Sequence, residues 1–129
     1  MTLFTTVNIW GGDGSDILKG GSGNDSIYCK AGNDTIRGGK CNDKLWGNDD
    51  DNVFIYENGD GKDTIYGFDD DDMLKITESF SASYNSSKKE IYFKVGNTSN
   101  AITLKNYDTS TFNVNGSNYR ISGSKLVKR

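Results

Sequence analysis

The 129-residue chain predicts an all-β fold: a stack of short strands and Gly/Asp turns, closed by a small antiparallel β cap. Three observations carry that expectation. A nine-residue unit runs three times without a gap through residues 11–37, GGDGSDILKGGSGNDSIYCKAGNDTIR. Nine matches neither the helix nor the strand period, and each unit splits into a Gly/Asp-rich six and a triplet with a central aliphatic. From residue 77 the unit gives way to plain alternation of apolar and polar residues, the pattern of half-buried strands.

Within a unit, glycine at the first, second and fourth places admits positive φ and close backbone approach, so the six-residue part reads as a turn. The triplet reads as a very short strand with its aliphatic inward and its flanks outward. One unit cannot bury its own apolar residue, so units must stack. In this frame the sixth place is Asp16, Asp25, Asp34, Asp43 and Asn52, and, after an insertion of Tyr56 and Glu57, Asp63 and Asp72. The eighth place is Leu18, Ile27, Ile36, Leu45, Phe54, Ile65 and Leu74, which makes seven units. Ile9 fills the eighth place of a zeroth unit that has no aspartate, so residues 2–10 read as a starting strand. The expected division is a repeat array over 1–76, with repeats at 11–75, and a capping segment over 77–129.

Composition narrows the function classes. There is no histidine and there are only two cysteines, which removes the common zinc sets and every imidazole-dependent catalytic arrangement. Gly21-Ser22-Gly23 lies inside a turn and is no nucleophile elbow, so the chain reads as non-catalytic. Neither a signal sequence of the Sec type nor an apolar run long enough for a membrane helix is visible. Residues 1–76 carry 15 acidic and 7 basic side chains, whereas residues 77–129 carry 3 and 8. An acidic half that sets carboxylates side by side needs cations. The lysines of the basic tail are scattered along strands, which argues for a solvated β surface and against nucleic acid.

Gly11, Gly12, Gly14, Asp16 and Leu18 fill every fixed place of the pattern GGxGxDxUx, where U is a large aliphatic, and Gly20, Gly21, Gly23, Asp25 and Ile27 fill them again. The chain thereby resembles the RTX, or hemolysin-type, calcium-binding nonapeptide-repeat proteins. The resemblance implies a right-handed parallel β-roll in which two units make one turn, so that odd units lie over odd and even over even. It also implies calcium, about four to five ions, held by main-chain carbonyls and sixth-place carboxylates of successive loops. Carried over residue by residue, the odd edge would use Gly11, Gly12, Asp13, Gly14 and Asp16, then Gly32 and Asp34, then Asn52 and Asp72. The even edge would use Gly20, Gly21, Gly23 and Asp25, then Gly38, Gly39 and Asp43, then Gly59, Gly61 and Asp63. Such proteins are typically exported by type I secretion and are extracellular or at the bacterial surface. A module of this kind is commonly the C-terminal part of a larger protein, toxins among them.

The units are not identical. Unit three opens Cys29-Lys30-Ala31, unit four has Cys41 at its fourth place, and unit five reads Gly47-Asn48-Asp49-Asp50-Asp51-Asn52. Asn and Asp tolerate positive φ better than most residues, so unit five is expected to keep the turn. Asp69 to Asp72 form either a further ligand cluster or a solvated acidic turn. The two cysteines fall on opposite edges at unlike places, which disfavours a disulfide.

Magnitudes favour a calcium switch. Carboxylates stacked at the spacing of neighbouring strands repel by about 1 kcal/mol per pair in a water-like medium. A site with a Kd near 10⁻⁴ M would gain about 1.4 kcal/mol in millimolar calcium and almost nothing below micromolar. The chain is therefore expected to be disordered without calcium and to fold cooperatively with it.

Two outward columns follow from the ninth place: Trp10, Tyr28, Trp46 and Tyr66 on the even side, and Lys19, Arg37, Ile55 and Lys75 on the odd side. The aromatic column reads as a stacked support for the sheet or a docking surface for the tail, or else as a platform for a glycan or partner protein. In the tail, Ile91, Phe93 and Val95 share one face, as do Ile102 and Leu104. Two runs around Asn115-Gly116 read as a hairpin, and KLV closes the chain.

Overall fold

The computed structural model describes residues 6–48, 50–69, 71–85, 87–105, 111–122 and 125–128. Its fourteen strands form two seven-stranded sheets. One sheet takes β1 (Asn8–Trp10), β3 (Ser26–Tyr28), β5 (Lys44–Trp46) and β7 (Asp63–Tyr66), followed by β11 (Thr98–Lys105), β10 (Glu90–Val95) and β9 (Phe80–Asn85). The other takes β2 (Ile17–Gly21), β4 (Thr35–Gly39), β6 (Val53–Tyr56) and β8 (Met73–Ile76), followed by β12 (Thr111–Val114), β13 (Ser117–Ser122) and β14 (Lys125–Lys128). Consecutive repeat strands alternate between sheets, and like-numbered strands pair in parallel. This is the flattened two-unit coil that the family resemblance implies.

The register holds residue for residue. Ile9, Ile27, Leu45 and Ile65 align across one sheet. Leu18 aligns with Ile36, Ile36 with Phe54, and Phe54 with Leu74 across the other. Each aliphatic stacks on its equivalent, so the interior is a narrow column, with Ile27, Ile36, Leu45, Phe54, Ile65 and Leu74 all buried. The insertion at Tyr56 and Glu57 leaves the register intact. Tyr56 is buried with its hydroxyl donating to the carbonyl of Gly61. Asp60 takes a two-pronged contact from Arg37, whose guanidinium also pairs with Glu57.

Where the ninefold pattern ends, the coil does not. β11 pairs with β7 in parallel, setting Leu104 beside Ile65, and β12 pairs with β8 in parallel, setting Val114 beside Leu74. Both residues are fully buried and extend the aliphatic columns by one rung each. The cap's first act is therefore to add rungs in the roll's own parallel register. Antiparallel pairing then closes each sheet, with β10 against β11 and β9, and β13 against β12 and β14. Asn115 and Gly116 both have positive φ, which fits the two-residue turn joining β12 to β13. The Asn115 side chain accepts from the Ile76 N–H and donates to the Ile76 carbonyl, tying the hairpin to the last repeat strand.

Beside the roll the tail builds a true core. Ile91, Phe93, Val95, Ala101, Ile102 and Phe112 are buried, and Phe93 meets Phe112 edge to face at 5.3 Å between centroids. The tail extends the aromatic side of the roll edgewise, with Lys105 next to Tyr66 in the ladder, and Lys105 pairs at 2.7 Å with the buried Glu90. Trp10, Tyr28, Trp46 and Tyr66 stack nearly parallel, with centroids 5.4, 4.5 and 4.8 Å apart.

Candidate metal centre

The sixth-place residues are held by the backbone of the neighbouring coil. Oδ1 of Asp25, Asp34 and Asp43 accepts from the N–H of Val7, Asp16 and Asp25 respectively, at 2.8–2.9 Å. Asn52, Asp63 and Asp72 accept in the same way from Asp34, Asp43 and Asn52. Asp25, Asp34, Asp43, Asn52, Asp63 and Asp72 are all buried. Seven carboxyl or amide groups chosen by one place in a sequence frame thus form two columns, Asp16–Asp34–Asn52–Asp72 and Asp25–Asp43–Asp63.

In Asp25, Asp34, Asp43, Asp63 and Asp72 one oxygen is spent in that way; the other often is not. Oδ2 of Asp16, Asp25, Asp34 and Asp43 is buried without a hydrogen-bond partner. A buried carboxylate oxygen left so costs more than an unmade neutral bond. Three of them sit under the first-place glycine of their own unit: a Cβ built on Gly11 would come within 3.2 Å of Asp16 Oδ2, and one on Gly20 or Gly38 would collide with the carboxylate of Asp25 or Asp43.

Main-chain oxygens stand beside two of them: a Cβ on Gly11 would also lie 2.7 Å from the Cys29 carbonyl oxygen, and one on Gly20 2.6 Å from that of Gly38. Gly32, at φ +98, lies so close to the coil before it that a Cβ would fall on the Gly14 carbonyl, and Gly39 is in the same position over the Gly21 carbonyl. Gly32→Ala is accordingly expected to destabilise the calcium-loaded fold by at least about 2 kcal/mol. A denaturant midpoint measured in millimolar calcium checks this. Gly12, Gly14, Gly21, Gly23, Gly59 and Gly61 also have positive φ, and Asp13 is exposed at the turn tip. The departures keep the shape: Lys30 and Asn48 at the second place and Cys41 and Asp50 at the fourth have φ between 58° and 77°. Cys41 therefore preserves the turn despite its side chain. Cys29 is buried at a first place, and its thiol is pushed up to about 12 by burial, with Asp34 and Asp72 adding to it. Both cysteines are free thiols. Asp49 and Asp70 fall outside the described residues.

A second column was not anticipated. The fifth-place side chains of Asn24, Asn33 and Asn42 accept, through Oδ1, from the N–H of Asn42, Asp51 and Lys62 in the following coil. The sixth place reaches back one coil and the fifth reaches forward, so the loops at 24–25, 33–34 and 42–43 are clamped from both sides. The recurring Asn-Asp pair at 24–25, 33–34 and 42–43 is the signal that marks it.

The donor set is all oxygen, one carboxylate per loop with main-chain carbonyls around it, which suits a hard cation such as calcium. Among the described residues no three acidic or cysteine side chains converge on a point, so any ion must be shared between side chains and backbone. The family scan decides the relationship: a model of the RTX calcium-binding nonapeptide repeat matches residues 8–28, 30–54 and 59–75, in four copies. Residues 8–75 are a run of RTX calcium-binding nonapeptide repeats. Comparison with curated protein sequences finds no match. Among solved structures, the RTX β-roll is similar to the AlgE6R3 subunit of the mannuronan C5-epimerase of Azotobacter vinelandii. The TM-score is 0.59 at 22% identity, over 80% of this chain and 73% of that one, a likeness of fold. RTX repeats bind calcium, and the aspartate columns with their four unpartnered oxygens fit that ion.

Burial raises the carboxyl pKa of Asp43 and of Asp63, which stand against each other, and pushes Asp72 up to about 7. A carboxyl whose folded value exceeds its unfolded one stabilises the fold below the unfolded value and loses that contribution as pH rises through the folded one. Without calcium, stability is thus expected to fall as pH rises from near 3.8 to about 7. Urea midpoints in EGTA at pH 5 and pH 8 check the sign: the value at pH 5 should be the higher.

Proposed function

We propose that this RTX β-roll is a calcium-triggered folding module, ordered cooperatively by calcium outside the cell and carried at the C-terminal end of a larger protein exported by type I secretion. The four buried, unpartnered Oδ2 atoms are the observation that carries the reading. Asp16, Asp34, Asp25, Asp43 and Asp63 would hold the ions, together with carbonyls of the loops at 11–16, 20–25, 29–34, 38–43 and 58–63. Bound calcium supplies the positive charge and high oxygen coordination that these carboxylates lack. The residues themselves orient the oxygens, exclude water from the columns and keep neighbouring loops in register. The role is structural and non-catalytic. Calcium titrations followed by calorimetry and circular dichroism test it. Saturable binding with a rise in β signal is expected, and an unchanged signal with no heat up to 10 mM calcium would reject the reading.

A second reading, a glycan or partner protein at the aromatic column, has one observation in its favour: Trp10 is 58% exposed. The stacking weighs against a sugar platform, because Tyr28 and Trp46 present their faces to each other and only ring edges outward. Trp46→Ala separates the two. A stability loss of about 1–3 kcal/mol with calcium binding retained is the expected result; unchanged stability with loss of binding on a glycan array would favour the platform.

A further inference from the structure

The odd edge contains one sixth-place residue that is not an acid, and its contacts differ in kind from those of its neighbours. Asn52 Oδ1 accepts from the Asp34 N–H at 2.9 Å, as an aspartate would, but its Nδ2 donates to the Gly47 carbonyl at 2.8 Å. The partners fix which atom is nitrogen, since an N–H can only donate and a carbonyl can only accept. That Nδ2 occupies the place of the unpartnered aspartate oxygens: it lies 3.5 Å from a Cβ built on Gly47, the first-place glycine of its own unit. The next rung is closed as well. Asp72 Oδ1 accepts from the Asn52 N–H at 2.7 Å, and its Oδ2 accepts from the Asp69 N–H at 3.0 Å. No sixth-place residue beyond Asp43 appears among the unpartnered oxygens.

We propose that Asn52 is a built-in substitute for calcium, its amide closing the odd edge without metal, so that calcium on this edge is confined to the Asp16–Asp34 rung while the even edge takes it at Asp25 and Asp43. The proposal rests on the calcium reading above and specifies where that reading stops. An amide nitrogen aimed at the Gly47 carbonyl takes one of that oxygen's two lone pairs and puts N–H hydrogens, which cannot ligate a cation, where an aspartate would present an oxygen. It also removes one negative charge from the column, and with it much of the attraction for the ion. The repeat pattern alone assigns this position like the others, because asparagine also offers an oxygen. What excludes the ion is the direction of the amide.

Native mass spectrometry of the full chain at saturating calcium tests the proposal by counting ions. Asn52→Asp should bind about one ion more than the wild type, since it restores an unpartnered carboxylate oxygen at that rung. An equal count in the two proteins overturns the proposal. If Asn52→Asp does not fold, Asp34→Asn and Asp72→Asn decide: the first should lose an ion and the second should lose none. An ion lost with Asp72→Asn would overturn the assignment. A wild type that binds no calcium at all would instead reject the calcium reading itself, so the two failures are distinguishable.

Discussion

In excess EGTA, hydrogen exchange is expected to divide the chain in two: amides of β2 to β5 exchange at close to unprotected rates, while those of β10 and β11 stay protected. Two features place the division near residue 47. The unpartnered carboxylate oxygens all belong to units one to four, whereas Asn52 and Asp72 are closed by hydrogen bonds within the chain. The large buried side chains lie on the other side, with Phe54, Phe68, Phe93 and Phe112 and the aliphatics of β10 and β11 at or beyond unit five. Units one to four bury little more than one aliphatic each and stack like-charged groups, so without a cation the balance tips toward disorder. At millimolar calcium each site of Kd near 10⁻⁴ M contributes about 1.4 kcal/mol, or about tenfold in protection. Added calcium should therefore bring protection to β2–β5 together, as nearest-neighbour coupling in a stacked array demands. Uniform loss of protection along the whole chain in EGTA would contradict the division.

The parallel roll was legible because its period is enforced by chemistry that cannot be moved. A residue at the eighth place faces the interior only if every loop keeps its length, so Leu18 to Leu74 align as the frame requires and Trp10, Tyr28, Trp46 and Tyr66 come into one column. The insertion at Tyr56 and Glu57 was readable for the same reason. The continuation of the coil through Leu104 and Val114 was not legible. Those strands keep the inward aliphatic but have no Gly/Asp loop before them, and the β9–β10 hairpin separates β11 from the strand it stacks on. Only the backbone pairing identifies them as rungs.

Among the site residues, the frame located the carboxylates but could not say what each oxygen does. Whether an oxygen is spent on a neighbour's N–H or left over depends on distances between coils. The fifth-place asparagine column was overlooked because its residues are small, polar and exposed, as turn residues commonly are. Asn52 and Asp43 occupy the same place in the frame and differ by one atom type, yet Asn52 is satisfied and Asp43 is not.

That contrast yields the second large expected effect, at Asp43. Its Oδ1 accepts from the Asp25 N–H at 2.8 Å, its own N–H donates to Asp63 Oδ1 at 3.0 Å, and its Oδ2 is unpartnered beneath Gly38. It is the middle carboxylate of the even column and faces both neighbours, so its removal should abolish calcium uptake on either side. This is a loss of about 3 kcal/mol of calcium-dependent stability at millimolar calcium. The two natural replacements should nevertheless differ without calcium. Asp43→Asn can reproduce the Asn52 arrangement, keeping the bond from Asp25 and turning Nδ2 toward the Gly38 carbonyl, while relieving repulsion with Asp25 and Asp60. Asp43→Ala leaves the buried Asp25 N–H unpaired, at a cost of about 1–3 kcal/mol. Denaturant midpoints in EGTA should rank Asn above the wild type and the wild type above Ala, whereas in calcium both variants should fall below the wild type. If Asp43→Asn kept the full calcium response, the direction of the sixth-place amide would not be what excludes the ion, and the same conclusion would then extend to Asn52.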